Sequence, residues 1–205
     1  GPPVALAIIF IVVNLVAIKS KKFEGMHATK RISYGTVYFP LAYLILCLFW
    51  WERQITFQIA LLLLTFADTA AAIVGEGVRN PESYRPWRDH KTIQGTIVMA
   101  LTSALLTGFG TTLFRSLAGM EPLELKLLVP LSLFVAAMAT IAEAVSDSGS
   151  DNLSIPIVAA VTYDLFFESV GNGSAAVLIM WILLSFIMAQ GAFSFRVLTS
   201  DGALA

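Results

Sequence analysis

Residues 55–75 read ITFQIALLLLTFADTAAAIVG, and Asp68 is the only charged residue among them. A helix needs about 20 mostly apolar residues to cross the hydrocarbon core of a bilayer, and this segment has that length. The rest of the chain is similarly apolar: of its 205 residues, 57% are hydrophobic and 13% are charged, and the mean hydropathy is +0.79. Soluble domains carry about 25% charged residues. The sequence therefore predicts an integral, multi-pass membrane protein.

Seven segments are apolar and long enough, some of them marginally, to be spanning helices. They are Val4–Ile18, Gly35–Trp51, Ile55–Val74, Ile93–Phe114, Leu127–Val145, Ser154–Phe167 and Ala175–Phe195. The sixth is short, so we expect it to extend into its flanks or to end inside protein. Since no period-2 strand pattern and no repeat is visible, we expect an all-α bundle of about seven spans, forming one transmembrane domain over residues 1–205. Residues 1–3 begin with Gly-Pro, which resembles a protease-cleavage remnant, so native sequence is expected upstream.

Lysine and arginine are divided unequally between the two ends of these segments. The side reached after the first segment, called side A, carries Lys19, Lys21, Lys22, Lys30, Arg31, Arg79, Arg85, Arg88, Lys91 and Arg196. The opposite side, side B, carries Arg53, Arg115 and Lys126. Because cytoplasmic loops hold the excess of basic residues, side A is predicted to be cytoplasmic. The side-A connections are also rich in polar residues, so an active site is expected on that face.

Composition excludes two kinds of site. The formal net charge is -1, and no basic stripe with interleaved aromatic residues is present, so a nucleic-acid partner is not expected. Cys47 is the only cysteine, which excludes disulfides within the chain and metal sites built from cysteines.

Two carboxylates lie inside predicted spans. Asp68 is 13 residues into the third span and Glu143 is 16 residues into the fifth, which places them about 20 and 24 Å from side B at 1.5 Å per residue. An acid at the centre of a spanning helix costs about 2.5–3.5 kcal/mol, so it usually faces a cavity, a partner or a metal. Their similar depth favours a shared metal or phosphate site over separate helix contacts. The small residues 69–75 either leave room for a ligand or let helices approach closely.

A basic connection precedes the fourth span and ends at Lys91, with Arg85 and Arg88 just before it. Lysine neutralises phosphate as a point charge, and arginine can bind phosphate oxygens in pairs. The free N–H groups at the start of the following helix also favour anions. These features suit a phosphate site, but a basic loop that sets topology or contacts anionic lipid headgroups would have the same composition.

The next side-A connection, residues 143–156, reads EAVSDSGSDNLSIP. Glu143, Asp147, Asp151 and Asn152 offer oxygen ligands of the kind that Mg²⁺ prefers. The alternative is a solvated acidic loop that caps the sixth helix. Acids facing a basic loop favour a Mg²⁺-bound nucleoside triphosphate, and membrane embedding implies a lipid acceptor. No Walker loop and no kinase Gly-rich loop occurs, which excludes those soluble nucleotide-binding folds.

Two motifs carry a resemblance to a known family. ADTAAAIVG (67–75), followed by HKTIQGT (90–96), resembles the D-x-x-A-x-x-x-G…K-[ST]-x-x-G pattern of the membrane CTP-dependent lipid kinases. This group includes dolichol kinase, phytol kinase and a CTP-dependent diacylglycerol kinase. EAVSDSGSDNLSIPIV (143–158) is similar to the group's E-[AS]-x…G-x-D-N-L-x-[IV]-P motif. Tyr34 departs from the family, since it stands where many relatives have the histidine of R-K-x-x-H.

The resemblance implies Mg²⁺-dependent transfer of the γ-phosphate of CTP to the hydroxyl of a polyprenol or other isoprenoid alcohol, or of diacylglycerol. By motif match, the expected catalytic residues are Asp68, Lys91 and Glu143, with Asp68 as the first candidate for a general base. The expected nucleotide-binding residues are Arg85, Arg88, Lys91, Gly95, Asp151 and Asn152. The expected metal ligands are Asp68, Glu143, Asp147 and Asp151.

Two alternatives stay open at this point. Phosphatidate cytidylyltransferases share the D-x-x-A-x-x-x-G…K-T-x-x-G run, but their C-terminal D-R-x-D-S type motif is missing here. A non-catalytic, ion-coupled transporter would use Asp68, Glu143 and Asp164 to line an ion path. Against it, transporters often contain internal repeats, and here the polar residues gather at one face. For Asp164, within the sixth span, a proton-handling or substrate contact and a helix–helix hydrogen bond are both possible.

Overall fold

The apolar segments form helices because backbone N–H and C=O groups in lipid must be satisfied within the segment itself. The computed structural model of the protein describes residues 1–20, 34–85 and 89–171. The predicted seventh span, Ala175–Phe195, lies outside the described residues, and so does Arg88. The described part of the chain is mostly helical, as expected for an all-α membrane bundle.

Seven α-helices run in chain order through the described residues. They are α1 (Pro2–Ser20), α2 (Gly35–Phe49), α3 (Gln54–Leu62), α4 (Asp68–Gly77), α5 (Ile93–Leu117), α6 (Leu125–Val145) and α7 (Asp151–Gly171). A π-helical turn, Leu63–Ala67, joins α3 to α4 without a break. The connection from α4 to α5 contains two short antiparallel strands, β1 (Ser83–Tyr84) and β2 (Lys91–Thr92). The sequence did not reveal them, because two residues are too few to show a period of 2.

Four described helical segments are long and apolar enough to cross a membrane. They are Gln54–Gly77, Ile93–Leu117, Leu125–Val145 and Asp151–Val170. Pro2–Ile18 and Gly35–Phe49 are apolar but shorter. The membrane bundle is therefore confirmed, whereas the count of seven spans is not. The sixth predicted span, expected at Ser154–Phe167, extends at both ends as its short apolar run required.

α7 packs against α2, α3 and α6, while α5 packs against α4 and α6. The side chains buried between the helices include Leu46, Ile59, Leu63, Met99, Leu131, Val135, Ile155 and Phe166. Large apolar side chains also point outward, as along α5 at Leu101, Leu105 and Phe109. Acyl chains are as apolar as these residues, so helix association in a bilayer depends on close packing and interhelical hydrogen bonds.

In the site region, α4 and the start of α5 approach each other closely. A Cβ atom added to Gly75 would lie 2.8 Å from the Thr92 hydroxyl oxygen. One added to Gly95 would lie 2.9 Å from the same oxygen and 3.0 Å from the carbonyl oxygen of Ala71. Thr92 also caps α5, because its hydroxyl oxygen accepts a hydrogen bond from the Gly95 N–H at 3.1 Å. The small residues after Asp68 thus serve helix packing, one of the two roles expected for them.

Replacing Gly75 or Gly95 with alanine is expected to destabilise the protein by about 1–3 kcal/mol, because the added methyl group overlaps Thr92. The matched control is Gly77→Ala, since a Cβ atom there meets nothing within 4 Å. This control should be neutral, or stabilising by up to about 1 kcal/mol through helix propensity. Unfolding midpoints of the three purified variants in one detergent measure the difference. Equal midpoints for all three would show that the contact is looser than described.

At the opposite end of the bundle, Asp164 of α7 forms polar contacts with neighbouring segments. Its carboxylate accepts hydrogen bonds from the Trp50 indole N–H at 2.7 Å and from the Thr56 hydroxyl at 2.8 Å, and it pairs with the Arg53 guanidinium. Glu168, one turn further along α7, is exposed. Asp164 therefore links α7 to the α2–α3 corner, which agrees with the helix–helix alternative and accounts for the carboxylate without a substrate.

Asp164→Ala should destabilise the protein by about 1–3 kcal/mol, because the Trp50 and Thr56 donors lose their acceptor. Glu168→Ala is the control on the same helix, with an expected change within about 0.5 kcal/mol. Denaturant titration of both variants in detergent tests this. If Asp164→Ala left stability unchanged but abolished an activity, the anchoring role would be wrong.

Candidate functional site

Lys91 is fixed in space by the short β-hairpin that precedes α5. Tyr84 lies opposite Lys91, and Ser83 lies opposite Thr92, in the antiparallel pair. The ladder continues into a hydrogen bond from the Ile93 N–H to the Glu82 carbonyl at 2.9 Å. With Thr92 capping α5, Lys91 is held immediately before the helix N-terminus. This is the position that the sequence predicted for it.

Lys91 meets two acids from other parts of the chain. Its ammonium nitrogen lies 2.6 Å from Glu143 Oε1, at the end of α6, and 3.3 Å from Asp151 Oδ2, at the start of α7. The three side chains are 15%, 9% and 21% exposed, respectively. Three segments far apart in sequence therefore meet at the bundle end where α4 and α6 finish and α5 and α7 begin. This end corresponds to side A.

Asp68 belongs to the same group. It is the first residue of α4, directly after the π turn, and it is half-buried. Its carboxyl group lies within electrostatic range of Asp151, Lys91 and Glu143. Asp68, Lys91, Glu143 and Asp151 are called the Lys91 cluster below. Since three carboxyl groups share one ammonium, the cluster contains more acid than base.

The charge state of Lys91 follows from two opposing effects. Burial lowers its pKa, but the negative charges of Glu143 and Asp151 and their hydrogen bonds raise it by more. The net result is a pKa above the ordinary lysine value of 10.5. Lys91 is therefore a fixed positive charge at neutral pH, as binding of an anionic group requires.

The loop between α6 and α7 places Glu143 beside Asp151. Ser148 and Gly149 adopt left-handed backbone conformations, with φ of 55° and 86°. The Ser146 hydroxyl donates to the Ala142 carbonyl at 2.6 Å, which closes the end of α6. Asp147 keeps its described contacts inside this loop, where its Oδ1 accepts from the Ser148 hydroxyl at 3.2 Å. Asp147, a predicted metal ligand, is thus not brought into the Lys91 cluster.

Two residues outside the predicted set hold this loop in place. The Asp89 carboxylate accepts a hydrogen bond from the Ser148 N–H at 2.7 Å. The Tyr34 N–H donates to the Ser148 carbonyl at 3.2 Å. In the sequence, Asp89 stands between Arg88 and Lys91 in the basic connection, and this placement is the signal that pointed to it. Tyr34, where the sequence departs from the kinase motif, lies at the edge of the site.

The remaining predicted nucleotide-binding residues have different surroundings. The Asn152 side-chain amide donates to Asp151 Oδ1 at 3.3 Å, so Asn152 is adjacent to the Lys91 cluster. Gly95 is buried against α4, and its N–H is used by Thr92. Arg85 is exposed, and none of its described contacts reaches the cluster. Arg88 lies outside the described residues.

The side chains of the site limit the kind of metal ion that it can bind. Within the described part of the chain, no three His, Cys, Asp or Glu side chains are arranged to hold a metal by themselves. However, Glu143 Oε2 is buried and has no hydrogen-bond partner there. Mg²⁺ is usually bound by one or two carboxylates together with substrate phosphates and waters. Glu143, with Asp68 within electrostatic range, would therefore fit a Mg²⁺ held together with phosphates and waters better than a metal enclosed by protein ligands.

A groove of about 800 Å³ lies beside the cluster, between α1, α2 and the π turn. Leu6, Phe10, Phe39 and Leu61 are among its apolar residues. Asn152, the neighbour of Asp151, also lines it. Asn152 therefore lies where the Lys91 cluster and the apolar groove adjoin.

Comparison with known proteins gives no match: no protein family, no curated protein and no solved structure matches this chain.

Lys91→Met is expected to destabilise the protein by about 3 kcal/mol, because it leaves Glu143 and Asp151 buried without their cation. Lys126→Met is the matched control: Lys126 pairs with Glu124 at 2.7 Å, but both side chains are largely exposed. Exposed pairs contribute about 0–1 kcal/mol. In the double variant Lys91→Met/Glu143→Gln, part of the lost stability should return. Additive effects of the two substitutions in detergent unfolding would argue against the pairing.

Proposed function

We propose that the protein is a CTP-dependent lipid kinase, which transfers the γ-phosphate of CTP to the hydroxyl of a membrane lipid such as an isoprenoid alcohol or diacylglycerol. The observation that carries the proposal is the convergence of Asp68, Lys91, Glu143 and Asp151 at one end of a membrane bundle. The two motifs that resemble the lipid kinases supply these four residues. The sequence alone shows the resemblance of the two motifs, whereas the fold brings the four residues close together.

Lys91 is suited to hold a phosphate of the nucleotide. Its ammonium is held by two carboxylates, and it stands before the N-terminus of α5, where the helix dipole also favours an anion. Phosphoryl transfer requires mainly positioning and neutralisation of charge. The fixed ammonium serves positioning, whereas neutralisation in this acid-rich cluster is proposed to need Mg²⁺ bound with the nucleotide. Arg88 and the exposed Arg85 are proposed to bind the outer phosphates. Gly95 contributes by letting α5 approach α4, so its role in nucleotide binding is indirect.

Glu143 and Asp68 are proposed to contact Mg²⁺, with Asp151 and Asn152 beside the nucleotide. Bound with CTP, Mg²⁺ would neutralise charge on the phosphate oxygens. Asp147 has no part in this arrangement, because its contacts lie in the loop. The carboxylates of the cluster also keep Lys91 in place, so that the same acids serve binding and positioning.

In the proposed reaction, the oxygen of the lipid hydroxyl forms a bond to the γ-phosphorus. The bond between that phosphorus and the β–γ bridging oxygen breaks, and CDP leaves with the electron pair. The hydroxyl proton passes to a carboxylate, for which Asp68 is the proposed acceptor. Asp68 is half-buried and, among the described residues, interacts with the cluster electrostatically. The lipid monophosphate and CDP are the products.

The side-A end of the bundle is proposed to face the cytoplasm, where CTP is available. The charge distribution supports this orientation: ten of the 13 lysine and arginine residues are on side A. The hydroxyl of a membrane lipid also lies near the headgroup level. Lys91, Glu143 and Asp151 lie at helix ends, and Asp68 lies further inside the span Gln54–Gly77. The cluster is therefore proposed to lie at a depth where an aqueous nucleotide and a lipid hydroxyl meet.

Purified protein with Mg²⁺, CTP labelled at the γ-phosphate and a panel of lipid alcohols should give labelled lipid and CDP. Asp68→Asn should reduce the rate by about 10²–10⁴-fold, the usual range for loss of an acid–base group. Glu168→Gln, which changes an exposed acid at the far end of α7, should leave the rate unchanged.

Release of pyrophosphate on addition of phosphatidate, without labelled alcohol, would replace the proposal with a cytidylyltransferase. Absence of both products from folded protein would refute nucleotide-dependent lipid chemistry and favour the transporter alternative.

A further inference from the structure

The groove beside the Lys91 cluster has no charged residue in its described lining. Its polar side chains are Asn14, Thr36, Tyr43, Thr65 and Asn152, all uncharged, and the rest of the lining is apolar. An anionic headgroup requires cations or several aligned N–H donors. The described lining therefore suits a lipid with an uncharged head better than a phosphorylated lipid.

The groove opens towards the bilayer. Leu6 and Phe10 of α1 are each 54% exposed, and Phe39 of α2 is 46% exposed, although all three also line the groove. On a membrane-embedded helix, exposed apolar side chains face acyl chains. A lipid can therefore pass sideways from the bilayer into the space between α1 and α2 without leaving an apolar environment.

Asn152 is a polar residue of the groove that contacts the Lys91 cluster directly. Its side-chain amide donates to Asp151 Oδ1 at 3.3 Å, and Asp151 Oδ2 lies 3.3 Å from the Lys91 ammonium. A continuous chain of contacts thus runs from the groove, through Asn152 and Asp151, to Lys91. A lipid head at this end of the groove is adjacent to the cluster.

Thr65 lies in the π turn that precedes Asp68. A π turn closes a hydrogen bond from residue i to i+5, here from the Asp68 N–H to the Leu63 carbonyl, and therefore has more residues per turn than an α-helix. This changes the angle between Thr65 and Asp68 around the helix axis. Thr65 lines the groove, while Asp68 interacts with the cluster. One helical segment therefore contributes residues both to the groove and to the cluster, and π turns are frequently found at functional sites.

The supply of hydrogen-bond donors in the groove is small. The Asn14 amide already donates to the Phe10 carbonyl at 2.8 Å, and the Asn152 amide donates to Asp151 and to the Gly149 carbonyl. The Tyr43 hydroxyl is hydrogen-bonded to the Cys47 thiol. The hydroxyls of Thr36 and Thr65 therefore remain as the principal donors of the described lining. A single-chain alcohol has one hydroxyl group and no ester carbonyl, which matches this supply. Diacylglycerol brings two further carbonyl acceptors.

We propose that the groove between α1, α2 and the π turn is the acceptor site and that it binds a long single-chain alcohol. The chain lies between α1 and α2, and the hydroxyl group lies at the end formed by Thr65 and Asn152. Thr65 is a positioning residue whose hydroxyl donates a hydrogen bond to the oxygen of the alcohol. This inference rests on the proposed kinase function, but binding of the alcohol in the groove can be measured without CTP.

The test uses the full chain in nanodiscs with a long-chain alcohol that carries a diazirine on its chain, in the absence of nucleotide. Photolabelling should map to peptides of α1 and α2, and excess unlabelled alcohol should compete. The same chain ending in phosphate should label at least about tenfold less. Diacylglycerol should compete at least about tenfold more weakly than the alcohol. Equal labelling by the phosphate, equal competition by diacylglycerol, or labelling elsewhere would each overturn the proposal.

Variants at Thr65 give a second measurement. Thr65→Val removes the hydroxyl at nearly constant volume and should weaken alcohol binding about 3–10-fold, as expected for one hydrogen bond. Thr65→Ser should restore it. The control is Thr112→Val, since Thr112 is also exposed on a spanning helix, where it bonds only to the Gly108 carbonyl of its own helix. Unchanged binding in Thr65→Val would refute the role of Thr65.

Kinase assays separate this inference from the function on which it rests. With activity present, Thr65→Val should raise the KM for the alcohol while leaving the KM for CTP unchanged. Specific photolabelling of the groove in a protein that transfers no phosphate would retain the binding site and reject the kinase. Activity combined with labelling outside the groove would retain the kinase and reject the acceptor site.

Discussion

The ammonium group of Lys91, held between Glu143 and Asp151, connects three parts of the chain that are 52 and 60 residues apart. An unpaired charge at this depth would be costly, because neither lipid nor the packed helix ends can solvate it. Unpaired carboxylates of Glu143 and Asp151 would be costly for the same reason. The β-hairpin, the α6–α7 loop and the start of α5 are all arranged so that these opposite charges meet. The geometry of the candidate site is therefore also a condition of stability at this end of the bundle.

Close backbone packing makes that meeting possible. Gly75, Gly95 and Ala71 let α4 and α5 approach until the Thr92 hydroxyl fits between them. Asp68, at the start of α4, then lies within range of the charges around Lys91. The motif that resembles the lipid kinases thus contains two kinds of residue. The charged ones form the cluster, and the small ones bring their helices together.

The two ends of the bundle use polar contacts differently. At side B, Asp164 is fully engaged by Trp50, Arg53 and Thr56, which satisfies its charge and fastens α7 to the α2–α3 corner. At side A, Glu143 Oε2 has no partner among the described residues. A satisfied carboxylate has a structural role, whereas an incompletely satisfied one can accept a ligand. The proposed phosphate chemistry and the neutral groove both belong to the side-A end.

By itself, the sequence determined that the chain resides in a membrane, because runs of about 20 apolar residues have no other stable solvent. It also identified Asp68, Lys91, Glu143 and Asp151, since charged residues stand out against an apolar background. Only the tertiary structure decided which of the candidates meet, that Asp147 stays in its loop, and that Asp164 is an anchor. Helices in lipid are apolar on the outside as well as the inside, so hydrophobic periodicity does not reveal which face packs inward. The π turn and the groove beside it depend on that packing, and local sequence carries no signal for either.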